Sequence, residues 1–173
     1  MVIEGVKVWK EYVERHENLF EHLRAAVHWE TSMRARWTAS YGVPYNYSQM
    51  SYPERPFPAR LNNLLGHLAT TLDFEPNNCL LNYYQGAESR MGFHSDEIED
   101  LVPGCGIAIV SLGGQRTLRF RSIENPELKH DIPLHSGSML YMSQTVQKQW
   151  QHAIPKTKDP EPRISLTFRR FKT

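Results

Sequence analysis

The chain has 173 residues, 40% of them hydrophobic and 11% aromatic, with 20 basic and 19 acidic side chains and a net charge of +1. That is enough for one domain spanning 1–173 with a substantial core, and too balanced in charge to hold a polyanion by overall charge; any phosphate contact has to come from local patches. The start lacks a charged region followed by an apolar run, and no apolar stretch approaches the ~20 residues of a membrane span. With only two cysteines, Cys79 and Cys105, the expected setting is a reducing intracellular compartment, cytoplasmic or nuclear, with both thiols free.

Residues 1–15 carry no clear periodicity. Leu19, Phe20, Leu23 and Val27 have helical spacing, which predicts a helix over Glu17–Ala26 with one buried face. His16, His22 and His28 fall here and read as solvated or capping residues. From Arg34 to about residue 57 the chain mixes Trp37, Tyr41, Tyr45, Tyr47 and Tyr52 with Gly42, Pro44, Pro53, Pro56 and Pro58. Glycine and proline argue for loops or a short hairpin there, and tyrosines suit a surface that grips a ligand. Leu61, Leu64, Leu65, Leu68 and Leu72 form an apolar stripe, so 58–73 reads as a core helix. Short strands follow: Cys79–Tyr84, a segment at Gly92–Asp96, Ile107–Leu112, Thr117–Arg121, Asp131–Leu134, Ser138–Met142 and Arg163–Phe171. Strands at this spacing behind two helices predict a mostly β fold with flanking helices (α+β), its core a double-stranded β-helix or jelly roll.

Chemistry concentrates in the second half. His94 and Asp96 are two residues apart, so an extended segment puts them on one face. His152 lies 58 residues on, far enough to come from another strand. Two histidines and a carboxylate make the facial triad of non-haem Fe(II), which leaves coordination positions open. An isolated His-x-Asp carries little weight by itself, but Arg163 and Arg169 are six apart and share a strand face. A guanidinium there can grip a carboxylate with two hydrogen bonds. Asn82 and Tyr84, two apart, can add neutral donors. A metal triad beside a carboxylate clamp suits a 2-oxo acid that chelates iron.

The segments L-N-Y-Y (81–84), G-F-H-S-D-E (92–97), I-A-I-V-S-L-G (107–113), L-R-F-R (118–121), G-S-M-L-Y-M (137–142), W-Q-H-A-I-P (150–155) and R-I-S-L-T-F-R (163–169) together resemble the AlkB-like 2-oxoglutarate/Fe(II) dioxygenases, in the family's order and over roughly 37–171. The resemblance implies Fe(II) held by His94, Asp96 and His152, 2-oxoglutarate held by Asn82, Tyr84, Arg163 and Arg169, and O2 as the second co-substrate. It makes residues of about 34–57 a substrate-covering lid and about 79–171 the catalytic core. It implies oxidative N-demethylation of an alkylated base in single-stranded DNA or RNA by a monomer, with release of formaldehyde, succinate and CO2. The substrate would meet Trp37, Tyr45, Tyr47, Glu97 and Met142, with Arg34 and Arg36 adding a basic face. Many repair members carry an acid four positions after the first iron ligand, where this chain has Ile98. Two other readings use the same fold: a hydroxylase or demethylase of a protein side chain or small metabolite, and a non-catalytic binding module.

Overall fold

The computed structural model describes residues 2–47 and 49–173, apart from the Tyr47 side chain. In chain order the elements are β1 (Val6–Trp9), α1 (His16–Ala26), β2 (Trp37–Gly42), β3 (Tyr45–Tyr47), β4 (Met50–Tyr52), a 3-10 turn (Ala59–Leu61), α2 (Asn62–Leu72), β5 (Asn78–Tyr84), β6 (Met91–His94), β7 (Ile107–Gly113), β8 (Arg116–Ser122), β9 (Lys129–Leu134), β10 (Met139–Met142), α3 (Gln144–Gln149), β11 (Trp150–Ile154) and β12 (Arg163–Arg169). The strands form a six-stranded sheet, ordered β1-β10-β7-β12-β5-β2, and a four-stranded sheet, ordered β6-β11-β8-β9, with β3-β4 as a separate hairpin. All pairings are antiparallel. The jelly-roll expectation holds.

The strands β5 and β12 are buried at every position, because the large sheet is covered on both faces. Cys79, Leu81 and Tyr83 of β5, Ala108, Val110 and Leu112 of β7, and Ile164, Leu166 and Phe168 of β12 pack in one cluster with Phe20 and Leu23 of α1 and Leu64 and Leu68 of α2. The opposite faces of these strands meet Leu118, Phe120, Leu134 and Ile154 of the smaller sheet. Each buried Leu or Phe contributes about 1.5–3 kcal/mol by leaving water. Period-2 alternation therefore puts one set of residues under the helices and the other set, Asn82, Tyr84, Arg163, Ser165, Thr167 and Arg169, between the sheets.

α1 starts within one residue of expectation. α2 begins only at Asn62, since Pro58 leads into a 3-10 turn, and it stops at Asp73 in the left-handed region (φ 59°), a conformation that Asp tolerates. The segment Trp37–Gly42, expected as loop, is instead an edge strand on β5. Its β-branched and aromatic residues suit pairing, and the breaking Gly42 and Pro44 lie only at its end. The β3-β4 hairpin matches the expected short hairpin. β7 turns into β8 at Gly113 (φ 87°), where a Cβ would meet the Pro162 carbonyl oxygen at 2.5 Å; only glycine fits.

His16 belongs to the frame. Its Nδ1 shares a 2.7 Å hydrogen bond with Ser136 Oγ. His130 is half-buried, its ring 5.5 Å from that of Trp150. Cys79 and Cys105 are free and buried. Among the described residues no helix is long and apolar enough to cross a membrane.

Candidate active site

β6 and β11 run antiparallel with His94 directly opposite His152. Cross-strand partners stand with their Cβ atoms about 5 Å apart, so register alone closes the gap of 58 residues between the two imidazoles. The pairing slips between His152 and Ile154, an irregularity of the kind that re-aims side chains beside functional sites. The ring centroids are 4.3 Å apart. Just beyond β6, Asp96 turns back toward both: its Oδ1 is 3.3 Å from His94 Nε2 and 3.7 Å from His152 Nε2. One ligand atom from each residue lies within 4.8 Å of the others. Two imidazole nitrogens and a carboxylate oxygen this close together could hold a single metal ion.

The neighbours prepare these donors. His94 Nδ1 donates to the Gly92 carbonyl at 2.9 Å, which leaves Nε2 with its lone pair toward Asp96. Asp96 Oδ2 accepts from Arg169 Nη2 at 2.8 Å, so Oδ1 is the oxygen turned to the histidines. The Asp96 backbone N–H donates to Gln147 Oε1 at 2.8 Å, and Ser95 Oγ donates to the Trp150 carbonyl at 2.9 Å. Burial by itself would raise the Asp96 carboxyl. The Arg169 guanidinium, with His94 and His152, outweighs it and holds the group far below the usual carboxylate range. His152 is pushed down to about 4, first by burial, with Asp96 opposing and His94 and Arg169 adding. Both shifts favour the forms that bind a metal, a carboxylate and a neutral imidazole.

The His152 shift has a consequence for stability. In the unfolded chain the imidazole binds a proton below its ordinary 6.5, and in the folded chain only below about 4. Between those values the unfolded state holds more protons, so stability is full above pH 6.5 and falls as pH drops toward 4. The full effect is about 3 kcal/mol. Urea titrations of metal-free protein at pH 7 and pH 4 should show this loss, and His152→Gln should flatten it. An equal slope in that variant would move the effect elsewhere.

Two recesses flank the triad. The deep one, between the sheets, is lined by Asn82, Tyr84, Ile109, Arg163, Ser165 and Arg169, among others. Arg163 is 1% exposed. Its Nη2 donates to Ser111 Oγ at 2.9 Å, while Nε and Nη1 have no acceptor among the described residues. Burial first, with Tyr84 opposing and Arg116 adding, pushes its pKa down to about 10, still cationic at neutral pH. A buried guanidinium with spare donors, lining the same recess as the metal triad, is a socket for a carboxylate. The residues fit Fe(II) and a chelating dicarboxylate.

The outer recess is a cleft of about 980 Å³, lined by Tyr45, Phe93 and Phe171, by the acids Glu54, Glu97 and Asp100 beside His94 and Asp96, and by the cations Arg36 and Lys172. Tyr45 packs on Phe171 at 5.2 Å, with the Arg169 guanidinium 5.1 Å from its ring. Glu97 and Tyr45 are thus at the cleft; the Tyr47 side chain lies outside the described residues. Trp37 and Met142 are not at the site. Trp37 leans edge-on against Tyr83, 5.9 Å between ring centroids, in the helix-side cluster. Met142 is buried between the sheets, because β10 pairs with β7, away from the mouth. Ile98 packs against that same cluster, and the acids that face the cleft flank it in sequence.

Arg36 lines the outer cleft but is mostly turned inward. It is 5% exposed and its Nε donates to Asn82 Oδ1 at 2.8 Å, which turns the Asn82 amide nitrogen to the other side. Sequence reasoning missed this role, along with Gln147 and Ser111, since none of them stands in a spacing that points to the metal.

A family model described as the 2OG-Fe(II) oxygenase superfamily matches residues 4–169. Alpha-ketoglutarate-dependent dioxygenase alkB homolog 3 of Homo sapiens is 33% identical over 150 residues, covering 80% of this chain and 52% of that protein. DNA oxidative demethylase ALKBH2 of Homo sapiens is 28% identical over 178 residues, covering 90% of this chain and 68% of that protein. Uncharacterized protein R406 of Acanthamoeba polyphaga mimivirus is 31% identical over 137 residues, covering 78% and 71%. The chain spans about half the length of the human alkB homolog 3. A solved structure titled "The structure of OsALKBH1" superposes with a TM-score of 0.71 at 15% identity, over 98% of this chain and 100% of that one, a likeness of fold. With its triad, its carboxylate socket and these relatives, the chain belongs to the 2OG-Fe(II) oxygenase superfamily and is AlkB-like.

Proposed function

We propose that the chain is an Fe(II)- and 2-oxoglutarate-dependent dioxygenase that removes methyl groups from alkylated bases of single-stranded nucleic acid. The observation that carries this reading is the triad's position between a buried cationic socket and an open aromatic cleft with acidic walls. When bound, iron, 2-oxoglutarate and O2 supply the oxidation of an N-methyl C–H bond, with succinate, CO2 and, after the product collapses, formaldehyde leaving. The protein's residues do the positioning. His94, Asp96 and His152 hold the metal on one side only, and Arg169 keeps Asp96 ionised and aimed. Arg163 takes the far carboxylate with Ser111 beside it, while Asn82, held by Arg36, presents its amide N–H groups.

On the substrate side, a base methylated at a ring nitrogen, such as 1-methyladenine or 3-methylcytosine, bears positive charge, which the Glu97 carboxylate at the cleft favours; the Tyr45 and Phe93 rings, already beside the Arg169 and Arg121 guanidinium groups, offer stacking surface. The names of the human relatives, a dioxygenase and a DNA oxidative demethylase, support the same chemistry. A base must leave the stack to enter such a cleft, at a cost of a few kcal/mol that single strands reduce. With a net charge of +1, contacts to backbone phosphates have to come from local cations such as Lys172 at the cleft.

Succinate formation by the purified protein with Fe(II), 2-oxoglutarate and ascorbate tests the proposal. An oligonucleotide carrying 1-methyladenine or 3-methylcytosine should stimulate turnover and lose the mass of the methyl group. Turnover that no oligonucleotide stimulates, but a methylated peptide does, would hand the acidic cleft to a cationic protein side chain instead.

A further inference from the structure

Arg116 opens β8 on the same inward face as Leu118 and Phe120, and it is 2% exposed. Its Nη2 donates to two carbonyls, Ser89 at 2.5 Å and Pro155 at 2.8 Å, which belong to the loops leaving β5 and β11. Its guanidinium carbon lies 5.2 Å from the centroid of the Tyr84 ring, and that of Arg163 lies 5.1 Å from the same ring. Neither arginine forms an ion pair among the described residues; Asp159, which lines a small surface pocket with Arg116, acts on it by charge. Arg116 Nε and Nη1, like the same two atoms of Arg163, are buried without an acceptor.

Two buried cations around one tyrosine are more positive charge than a fold alone calls for. Taking each from water is costly, and they repel one another. The excess has a purpose if an anion enters beside them. Tyr84 and Arg163 line the deep recess, whereas Arg116 does not, so Arg116 acts through its field and through Tyr84. Consistent with this, Arg116 is among the charges that lower the Arg163 pKa.

We infer that Arg116 is a positioning residue for the co-substrate: it seats Tyr84 and supplies the second cation of a field that selects 2-oxo acids with a far carboxylate over those without one. The inference rests on the co-substrate reading proposed above. It differs from a plain structural role, in which Arg116 only ties the two loops together, in what it demands of the ligand's far end.

The test compares 2-oxoglutarate with 2-oxovalerate, which keeps the chelating end and ends in a methyl group. Binding of each to Co(II)-loaded protein is measured by calorimetry, for the wild type, Arg116→Gln and Arg116→Lys. In R116Q, affinity for 2-oxoglutarate should drop roughly tenfold or more, the scale of one charge interaction in partly screened surroundings, with 2-oxovalerate unchanged. R116K, which keeps the cation, should retain most of the preference for 2-oxoglutarate. If R116Q weakens both acids equally, or neither, Arg116 is a loop tie and the inference is wrong. Should R116Q not fold, Arg116→Met, an uncharged side chain of similar length, decides: a preference for 2-oxoglutarate equal to that of the wild type overturns the inference, and a reduced one supports it. Wild-type protein that loads metal but binds neither acid would instead strike the co-substrate reading itself, and the inference with it.

Discussion

Asp96→Ala should eliminate metal-dependent turnover and destabilise the metal-free fold as well. Asp96 Oδ1 faces both histidines and Oδ2 accepts from Arg169 Nη2 at 2.8 Å, so alanine removes a metal ligand and the carboxylate beside a 3% exposed arginine. Breaking a buried ion pair from one side costs about 3–5 kcal/mol. Losing one of three ligands should cut turnover by roughly a thousandfold or more, as removal of a group that holds the reaction together does. Asp96→Asn separates the two effects. Its carbonyl still accepts from Arg169, so most stability should return, but its neutral oxygen is a poor ligand and turnover should stay at background. Urea unfolding, equilibrium dialysis of Fe(II) under argon and succinate formation read the three quantities. An alanine variant as stable as the wild type would show that Asp96 is not what offsets the buried Arg169 charge.

The second large effect runs the opposite way on stability. Arg163→Met should weaken 2-oxoglutarate binding about a hundredfold or more, since two charge-assisted hydrogen bonds to a buried carboxylate are lost. Yet the metal-free fold should hold its stability or gain about 1–3 kcal/mol. Arg163 is buried with neutral Ser111 and Tyr84 beside it, and replacing a desolvated charge by an apolar side chain of similar length removes that cost. Calorimetry with 2-oxoglutarate and a thermal melt of the same sample measure both. A fall in stability of several kcal/mol would mean that Arg163 is part of the frame rather than held there for the ligand.

What could be read from the sequence is what short-range geometry controls. An extended backbone puts residues of even spacing on one face, so His94 with Asp96, Asn82 with Tyr84, and Arg163 with Arg169 could each be paired before any fold was known. The leucine stripe of α2 is legible for the same reason at helical period. Trp37–Gly42 was not, because Gly42 and Pro44 punctuate it strongly while its strand character depends on β5 lying alongside. β1 and α3 are too short for periodicity to show.

Which side chains share a strand face, and with them the metal and carboxylate chemistry, follows from alternation, a local property of the backbone. Which faces meet is set by packing across the fold. The antiparallel register of β6 and β11 sets His152 against His94, and the stacking of two sheets buries Arg163 and Arg169 toward the same recess. The same packing turns Arg36 inward to Asn82, brings Gln147 under Asp96, and takes Trp37 and Met142 away from the cleft. These are contacts between segments tens of residues apart, fixed by sheet pairing and burial, and no spacing within a segment encodes them.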